Sequence, residues 1–420
     1  MSQGVRKGSI YALMGQGVSG IFLFLFQTFA GRWLGVESYG LLNVLYSSII
    51  IVTVLVVFGV TQGVTRFIAF YQARNDKKGE EETIQTSFII YLILLFAVIL
   101  ICYLVRKLIS QYLFNNSSII FYQFILGIVF LSIYRFYNGV LQGYRKFHIF
   151  SIGLVIKAIT MFFILFLIAR FLKLSKIASG WSIVISPILA ILFFQFVTKK
   201  PFTSFRWRSH LKLQPEIIKF IMIGTFISLM NMWIMRSGPV LLKIVGEAEA
   251  DKLAGLFSAI MIPLNLARTI VIALFTALYP NLSRAYSLED KNLIQRYVFK
   301  SIGIVGIIII FLIPIYYFFG PQIVRLLFGE EFIVSKIDST LLAFAFSFYF
   351  IALLQSKILL ARNTPKYSAF SLLLGITGMF VTLYLANLSP MKLIAASLLV
   401  CNFLYVTIQG IYLRIVKIQK

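Results

Sequence analysis

The chain is poor in the residues that build catalytic and metal sites in soluble proteins. Only 14 of its 420 residues are acidic, and it has two cysteines and two histidines. Cys102 and Cys401 lie inside apolar runs, whereas His148 and His210 fall in predicted loops. This distribution argues against both a structural disulfide and a metal cluster. We therefore expect no metal and no other cofactor.

Charged residues are scarce in the chain as a whole. They make up 13% of the sequence, whereas soluble domains average roughly a quarter. In their place, 60% of the residues are hydrophobic and the mean hydropathy is +0.92. The apolar residues form runs of about 20, each long enough to cross a ~30 Å hydrocarbon layer. Runs such as IGIVGIIIIFLI do not alternate as β-barrel strands do, so we predict an all-α polytopic membrane protein.

Polar breaks divide these apolar runs into twelve predicted transmembrane helices. They lie near 10–31, 41–65, 84–105, 118–141, 149–169, 178–197, 217–242, 253–279, 299–319, 338–358, 368–388 and 393–412. The first run is too long for the ~7–15-residue core of a signal peptide and lacks a small-x-small cleavage site, so we expect a retained span. The even number places both termini on one side of the membrane.

The basic residues are distributed unequally between the two sides. The loops on the side of the termini carry 24 Lys and Arg residues, and the opposite loops carry 11. The positive-inside rule therefore predicts cytoplasmic termini in the cell (inner or plasma) membrane. The net charge of +25 is explained by this topology and by attraction to anionic lipids, so no nucleic-acid partner is expected. The predicted loops are too short to hold a soluble catalytic domain.

Short similar segments indicate that the chain contains an internal repeat. LQGYRKFHIFS after the fourth span resembles LARNTPKYSAFS after the tenth, and LISQYLF after the third resembles IVRLLF after the ninth. The offset is an even six spans, so the halves have the same orientation, as in parallel transporter repeats. We predict a six-helix N-terminal lobe over 1–198, a basic cytoplasmic linker over 199–215 and a six-helix C-terminal lobe over 216–420.

Three loop segments carry a resemblance to a known family. GRWLGVESYGLL, LQGYRKFH and IVRLLFGEEF resemble the polysaccharide-transporter branch of the multidrug/oligosaccharidyl-lipid/polysaccharide exporter superfamily, which includes O-antigen and capsule flippases. The resemblance covers essentially the whole chain, span for span. It implies two pseudo-symmetric lobes around a central cavity that opens alternately to each side, with the first, second, seventh and eighth spans at the cavity wall.

The same resemblance implies what the protein transports. The expected cargo is an oligosaccharide linked to polyprenyl pyrophosphate, flipped from the cytoplasmic to the outer leaflet for surface polysaccharide biosynthesis. Besides this cargo, we expect membrane lipids as partners, with a polysaccharide polymerase and chain-length proteins as further candidates. A flippase for the peptidoglycan lipid precursor and a drug exporter share the fold and stay open as alternatives.

A membrane glycosyl polymerase is the alternative from a different class. Such an enzyme needs paired carboxylates near the membrane edge, whereas the candidate acids here, Glu37, Glu330 and Glu331, lie in short loops. Drug-exporting relatives use a membrane carboxylate to couple ion movement to export. All fourteen acids of this chain lie outside the predicted spans or at their ends. We therefore expect a transporter rather than an enzyme, and no carboxylate-based ion coupling.

Four basic residues nevertheless fall inside predicted spans. They are Arg135, Lys157, Arg236 and Arg268. Each mid-span cation costs about 2.5–3.5 kcal/mol on insertion scales, so their side chains must snorkel, face water or bind an anion. Arg135 lies ~9 Å from the span end, within reach of snorkelling, and the Gly-Pro pair after Arg236 is expected to break its helix.

These four cations are our candidate pyrophosphate ligands. Guanidinium groups match phosphate oxygens bidentately, and a lysine adds a point charge. Arg268, with Pro263 one turn earlier, is the strongest candidate. Polar and aromatic side chains within the spans are weaker candidates for sugar contacts, since such residues also serve ordinary helix packing; they are Gln16, Ser19, Gln27, Asn43, Asn231 and Trp233.

Overall fold

The computed structural model describes residues 3–171, 176–198, 215–288, 290–362 and 364–415. Within these ranges the chain is almost entirely helical and contains no strand, which confirms the all-α prediction. The predicted linker over 199–215 lies outside the described residues except for its last residue, Pro215.

The helices follow the predicted spans in order. In the first part of the chain they are α1 (Gln3–Thr53), a π-helical turn (Val54–Phe58), α2 (Gly59–Ala73), α3 (Lys77–Leu104), α4 (Arg106–Leu113), α5 (Ser118–Gly143), α6 (Phe147–Phe171), α7 (Lys176–Thr198) and α8 (Pro215–Val245). After a short 3₁₀ turn come α9 (Ala250–Ser287), α10 (Lys291–Phe328), α11 (Lys336–Ala361), α12 (Pro365–Leu385) and α13 (Pro390–Ile415).

Eleven stretches of the described chain are long and apolar enough to span a membrane. The first of them, Ile10–Ala73, is 64 residues long and accounts for two predicted spans, because ~20 residues suffice for one crossing. Gly35 divides it, with φ 74° and ψ 170° in place of helical angles. A residue with a Cβ adopts such a conformation only with strain, so this glycine separates the first two spans.

Several boundaries differ from the prediction. α10 continues about two turns beyond each end of the predicted 299–319 span, and a short helix that was not predicted, α4, follows the third span without a buried residue. The expected helix break at Gly238-Pro239 was wrong, because α8 continues through Pro239 to Val245. The residues around this proline are buried, and neighbouring packing allows a membrane helix to retain a proline.

The contacts between Cα atoms divide the chain into two units, Met1–Ile244 and Val245–Lys420. α8, which the sequence analysis places in the C-terminal lobe, is grouped here with the first unit. The predicted lobe boundaries stay a prediction. In the first unit α1 packs along α6, and α5 packs against α2 and α7. In the second unit α13 packs against α11 and α12, and α10 packs against α9 and α11.

Matching helices within the two units agree with the predicted repeat. α5 and α11 are both 26 residues long. Each is followed after a short turn by a helix that begins within the echoed segment, α6 at Phe147 and α12 at Pro365.

Hydrogen bonds between side chains join the last three helices. Gln409 of α13 donates to Ser356 of α11 at 2.7 Å and to Ser368 of α12 at 2.9 Å. The hydroxyl groups of Ser356 and Tyr405 lie 2.7 Å apart. Polar side chains that bond across helices in this way stabilise membrane bundles by roughly 1 kcal/mol each.

Within the first unit, α2 and α8 approach closely at Gly59. A Cβ placed on Gly59 would overlap the hydroxyl group of Thr225 and the backbone carbonyl of Ile221. The carbonyl cannot move without displacing the helix, so only glycine fits here. Small residues are the usual means by which membrane helices reach such short separations.

We predict that Gly59→Ala lowers the melting temperature of the purified protein. Overpacking of this kind typically costs about 1–3 kcal/mol. The control is Gly20→Ala in α1, where nothing lies within 4 Å of an added Cβ, and where the change should stabilise the helix by roughly 0.5–1 kcal/mol. Thermal unfolding in detergent measures both variants. Equal melting temperatures for the two would contradict the close approach of α2 and α8.

Candidate functional site

Three of the four cations predicted within spans come together in the first unit. Arg135 lies on α5, Lys157 on α6 and Arg236 on α8. Lys157 is close enough to both arginines to be repelled by them, and Arg135 and Arg236 repel each other. We call these three residues the cation cluster. Each side chain is only partly buried, and Arg135 lines the cavity described below.

Aromatic rings line the cation cluster. The guanidinium of Arg236 lies 5.2 Å from the ring centre of Tyr46, and that of Arg135 lies 5.8 Å from Phe58. The Lys157 ammonium lies 5.8 Å from the ring of Tyr134. Contacts of this type contribute about 0.5–2 kcal/mol, less than the ~2.5–3.5 kcal/mol cost of a mid-span cation. The rings therefore offset only part of the cost.

At Arg135 and Lys157, no described carboxylate offsets the rest of this insertion cost. Among the residues that the structure describes, no acidic side chain lies against Arg135 or Lys157. The ion pairs described elsewhere are exposed, such as Lys78 with Glu82 and Lys252 with Glu249. A group of cations that is short of negative charge is suited to bind an anion with several oxygens.

A polar cavity of about 610 Å³ opens beside Arg135 in the first unit. Its walls come from the end of the π-helical turn, from α2, α5, α6 and α8, and carry two cations, five uncharged polar side chains and three aromatic rings. The lining residues are Phe58, Thr61, Gln62, Thr65, Arg66, Arg135, Asn138, Gln142, Phe150 and Phe220. This volume is in the range of ligand pockets.

The contact between α2 and α5 forms one wall of the polar cavity. Thr65 donates to the backbone carbonyl of Gly139 at 3.0 Å, and a Cβ on Gly139 would press on the backbone of Thr61. This close approach leaves Gln62 and Arg66, one turn apart on α2, at the cavity. The guanidinium of Arg66 also lies 4.6 Å from the ring centre of Phe220.

The π-helical turn directly precedes this wall. It interrupts the helical run at Val54–Phe58, and Phe58, its last residue, lies both in the cavity wall and beside Arg135. Such turns are frequent at functional sites, because one extra residue rotates the side chains that follow.

The fourth cation, Arg268, belongs to the second unit. It lies on α9 beside Tyr349 of α11 and is partly buried. Its Nε atom is buried and, within the described residues, has no hydrogen-bond partner. Its role in binding pyrophosphate stays a prediction.

The predicted sugar contacts lie mainly in helix packing. Asn43 is buried and donates to the carbonyl of Tyr39 at 3.0 Å, and Asn231 donates to that of Ile227 at 3.0 Å. Gln27 accepts from the hydroxyl of Tyr39 at 3.0 Å. Gln16 is exposed, and Ser19 and Trp233 are partly exposed. The described lining of the polar cavity includes none of the six, and their role stays a prediction.

Sequence reasoning missed most of the cavity wall. The predicted span ends at residue 65 and puts Arg66 in a loop, whereas α2 continues to Ala73. The polar segment TQGVT at 61–65 was the available signal, since Thr61, Gln62 and Thr65 interrupt an otherwise apolar run. Asn138 and Gln142, one turn apart and one and two turns after Arg135, carried the same signal on α5.

Comparison with known proteins agrees with this arrangement. A family model described as "Polysaccharide biosynthesis protein" matches residues 5–286, more than half of the chain. The chain belongs to this polysaccharide biosynthesis protein family. Its match includes the cation cluster and the polar cavity. No curated protein sequence gives a significant match to the whole chain or to a part of it.

Solved structures of transporters have the same fold as this family member. An inward-facing multidrug resistance MATE family transporter of the MOP superfamily matches with a TM-score of 0.72 at 13% identity, over 96% of this chain and 98% of its own. A MOP superfamily transporter from Pyrococcus furiosus matches with a TM-score of 0.66 at 16% identity, over 98% and 95%. The shared fold confirms the predicted polytopic helical architecture, and the family match agrees with the polysaccharide branch of the predicted resemblance.

We predict that Lys157→Met raises the melting temperature of the purified protein by about 2–4 °C or more. The change removes a mid-span cation and its repulsion from Arg135 and Arg236. Inorganic pyrophosphate at low ionic strength should stabilise the wild type through binding, and the variant much less. Thermal unfolding with and without pyrophosphate measures both effects.

The matched control is Lys107→Met on α4, which removes an exposed cation outside the cluster. It should leave the stabilisation by pyrophosphate unchanged. The same stabilisation in both variants would exclude an anion site at Lys157.

Proposed function

We propose that this protein is a flippase for a polyprenyl-pyrophosphate-linked oligosaccharide, which it moves from the cytoplasmic to the outer leaflet by alternating access. The cation cluster is the observation that carries the proposal. Its three positive side chains lie within membrane-spanning helices, and Arg135 and Lys157 have no described carboxylate beside them. A diphosphate with several oxygens supplies the missing negative charge.

The family supports this choice of cargo. The family is described by polysaccharide biosynthesis, and sugars assembled on a lipid carrier in the cytoplasm would have to cross the membrane to reach the cell surface. The chain has the fold of solved transporters. The solved Pyrococcus furiosus relative is described as having a binding pocket of reversed polarity that suggests a different function. A basic site in this fold is therefore consistent with an anionic cargo.

The polar cavity offers contacts for the saccharide next to the cluster. Gln62, Asn138 and Gln142 carry amides that can both donate to and accept from sugar hydroxyls. Phe58 and Phe220 provide apolar ring faces. Arg135 belongs to both the cluster and the cavity wall, so it lies where a phosphate group and its attached sugar would meet.

Membrane potential can drive export of such a cargo. A negative charge that leaves an inside-negative cell gains about 2.3 kcal/mol per 100 mV. Two net charges therefore gain ~5 kcal/mol per 100 mV, without an ion-binding carboxylate. The positive-inside pattern predicts cytoplasmic termini in a cell-membrane protein. A polymerase and chain-length proteins are the partners expected to use the exported product.

The drug-exporter alternative rests on the fold likeness to MATE transporters. The basic cluster argues against a cationic drug, because like charges repel at close range. A peptidoglycan lipid precursor has the same pyrophosphate linkage, so the cluster suits it equally; we prefer a polysaccharide precursor because the family is described by polysaccharide biosynthesis.

The test is translocation in proteoliposomes. A fluorescent polyprenyl-pyrophosphate oligosaccharide is placed in one leaflet, and its movement is followed by protection from an added glycosidase. We expect Arg135→Gln with Lys157→Gln to reduce the rate about tenfold or more, which corresponds to ~1.4 kcal/mol or more. An imposed potential should accelerate wild-type transport. The glycan should keep its length, which distinguishes a flippase from a polymerase.

The control variant for transport is Arg106→Gln on α4, whose side chain is exposed and lies 3.0 Å from the hydroxyl of Tyr103. It removes a membrane-edge cation outside the cluster and should transport at the wild-type rate. If the double variant transports as fast as Arg106→Gln, the cluster does not bind the cargo and the proposal fails.

A further inference from the structure

A second cavity, of about 540 Å³, lies entirely in the second unit. We call it the apolar groove. It runs between α10 and α11, with α9 and α13 at one end, and aliphatic and aromatic side chains form most of its wall. Six of them are Ile294, Val298, Ile302, Ile309, Ile351 and Ile358. A wall with so few polar groups does not suit a sugar, whose hydroxyls need hydrogen-bond partners.

The groove has the length of one leaflet. Along α10 its lining runs from Ile294 to Ile309, which is ~22 Å at 1.5 Å per residue. A bilayer with its headgroup regions is ~40–45 Å thick, so one leaflet is ~20–22 Å. The groove therefore extends from the membrane surface at the start of α10 to about the bilayer midplane. Phe299 and Ile302 in this stretch are 71% and 50% exposed.

One end of the groove is basic. Arg362 lines it there, with Nε donating to the hydroxyl of Tyr286 at 3.2 Å and Nη1 donating to the carbonyl of Leu413 at 2.8 Å. These two bonds fix the guanidinium, whose Nη2 has no described partner. Four exposed basic residues lie in the first turns of α10 and α12, at the same end of the unit: Lys291, Arg296, Lys300 and Lys366.

Acidic residues do not balance these charges in the described part of this end. Asp290 is the acid described there, and its carboxylate caps α10 by accepting from the backbone of Leu293 at 3.0 Å. Each basic residue near a membrane surface attracts anionic lipid by about 1 kcal/mol. The groove thus combines an apolar channel with a cationic mouth.

We propose that the apolar groove binds one anionic phospholipid of the leaflet that faces the termini, with an acyl chain in the channel and the phosphate at Arg362. The length of the channel and the charge at its mouth favour this occupant over the longer polyprenyl chain of the cargo. The described lining of the groove shares no residue with the cation cluster, and the proposal does not rest on the proposed function.

Two glycines of α10 allow a matched test. Both Gly303 and Gly306 have nothing within 4 Å of an added Cβ, so a larger side chain fits the fold at either position. Only Gly306 lines the groove. Gly306→Phe should therefore fill the channel, whereas Gly303→Phe adds the same ring to the same helix elsewhere.

The experiment uses the full-length protein in nanodiscs of phosphatidylglycerol and phosphatidylethanolamine. Native mass spectrometry after release into detergent counts the lipids retained. We expect wild type and Gly303→Phe to retain phosphatidylglycerol, and Gly306→Phe to retain about tenfold less. Phosphatidylglycerol with a diazirine at the end of its acyl chain should crosslink to the wild type near Ile309.

Three results would overturn the proposal. The first is equal retention of phosphatidylglycerol by the two glycine variants. The second is equal retention of phosphatidylglycerol and phosphatidylethanolamine by the wild type. The third is crosslinking at the groove by a diazirine-labelled polyprenyl phosphate in place of the phospholipid. The crosslinking arm uses the wild type, so it remains decisive if Gly306→Phe unfolds. None of these measurements depends on transport, so a failure of the proposed flippase function would leave their results unchanged.

Discussion

A positive charge inside a hydrocarbon layer needs compensation, and the first unit is organised around this requirement. Arg135, Lys157 and Arg236 come from three helices and approach closely enough to repel one another. The rings of Tyr46, Phe58 and Tyr134 stabilise them in part. The protein thus retains an arrangement that lowers its stability. Binding sites often do so, because the bound ligand provides the interactions that the site itself lacks.

The helices that surround this site owe their close contact to small and polar residues. Gly59 and Gly139 remove side chains where α2 meets α8 and α5, and Thr65 bonds across to α5. The same contacts bring the polar face of α2 to the cavity. Helix packing and the chemistry of the site therefore depend on the same few positions, which links the stability of this unit to its binding surface.

Much of the fold could be predicted from the sequence, because long apolar runs specify membrane helices almost alone. The buried cations were also recognisable one by one. Spacing along the chain does not reveal which helix faces meet. The grouping of Lys157 with Arg135 and Arg236 therefore became visible only in the packing of the helices. Asn43 and Asn231 show the converse, since their amides bond within their own helices.

The proline in α8 has a mechanical consequence for the cluster. Pro239 has no N–H to offer the carbonyl of Met235, which is the residue before Arg236. α8 therefore lacks one backbone hydrogen bond next to Arg236, and a helix bends most easily where such a bond is missing. If one end of α8 tilted at this point, the guanidinium of Arg236 would move with it, and no further backbone hydrogen bond would have to break.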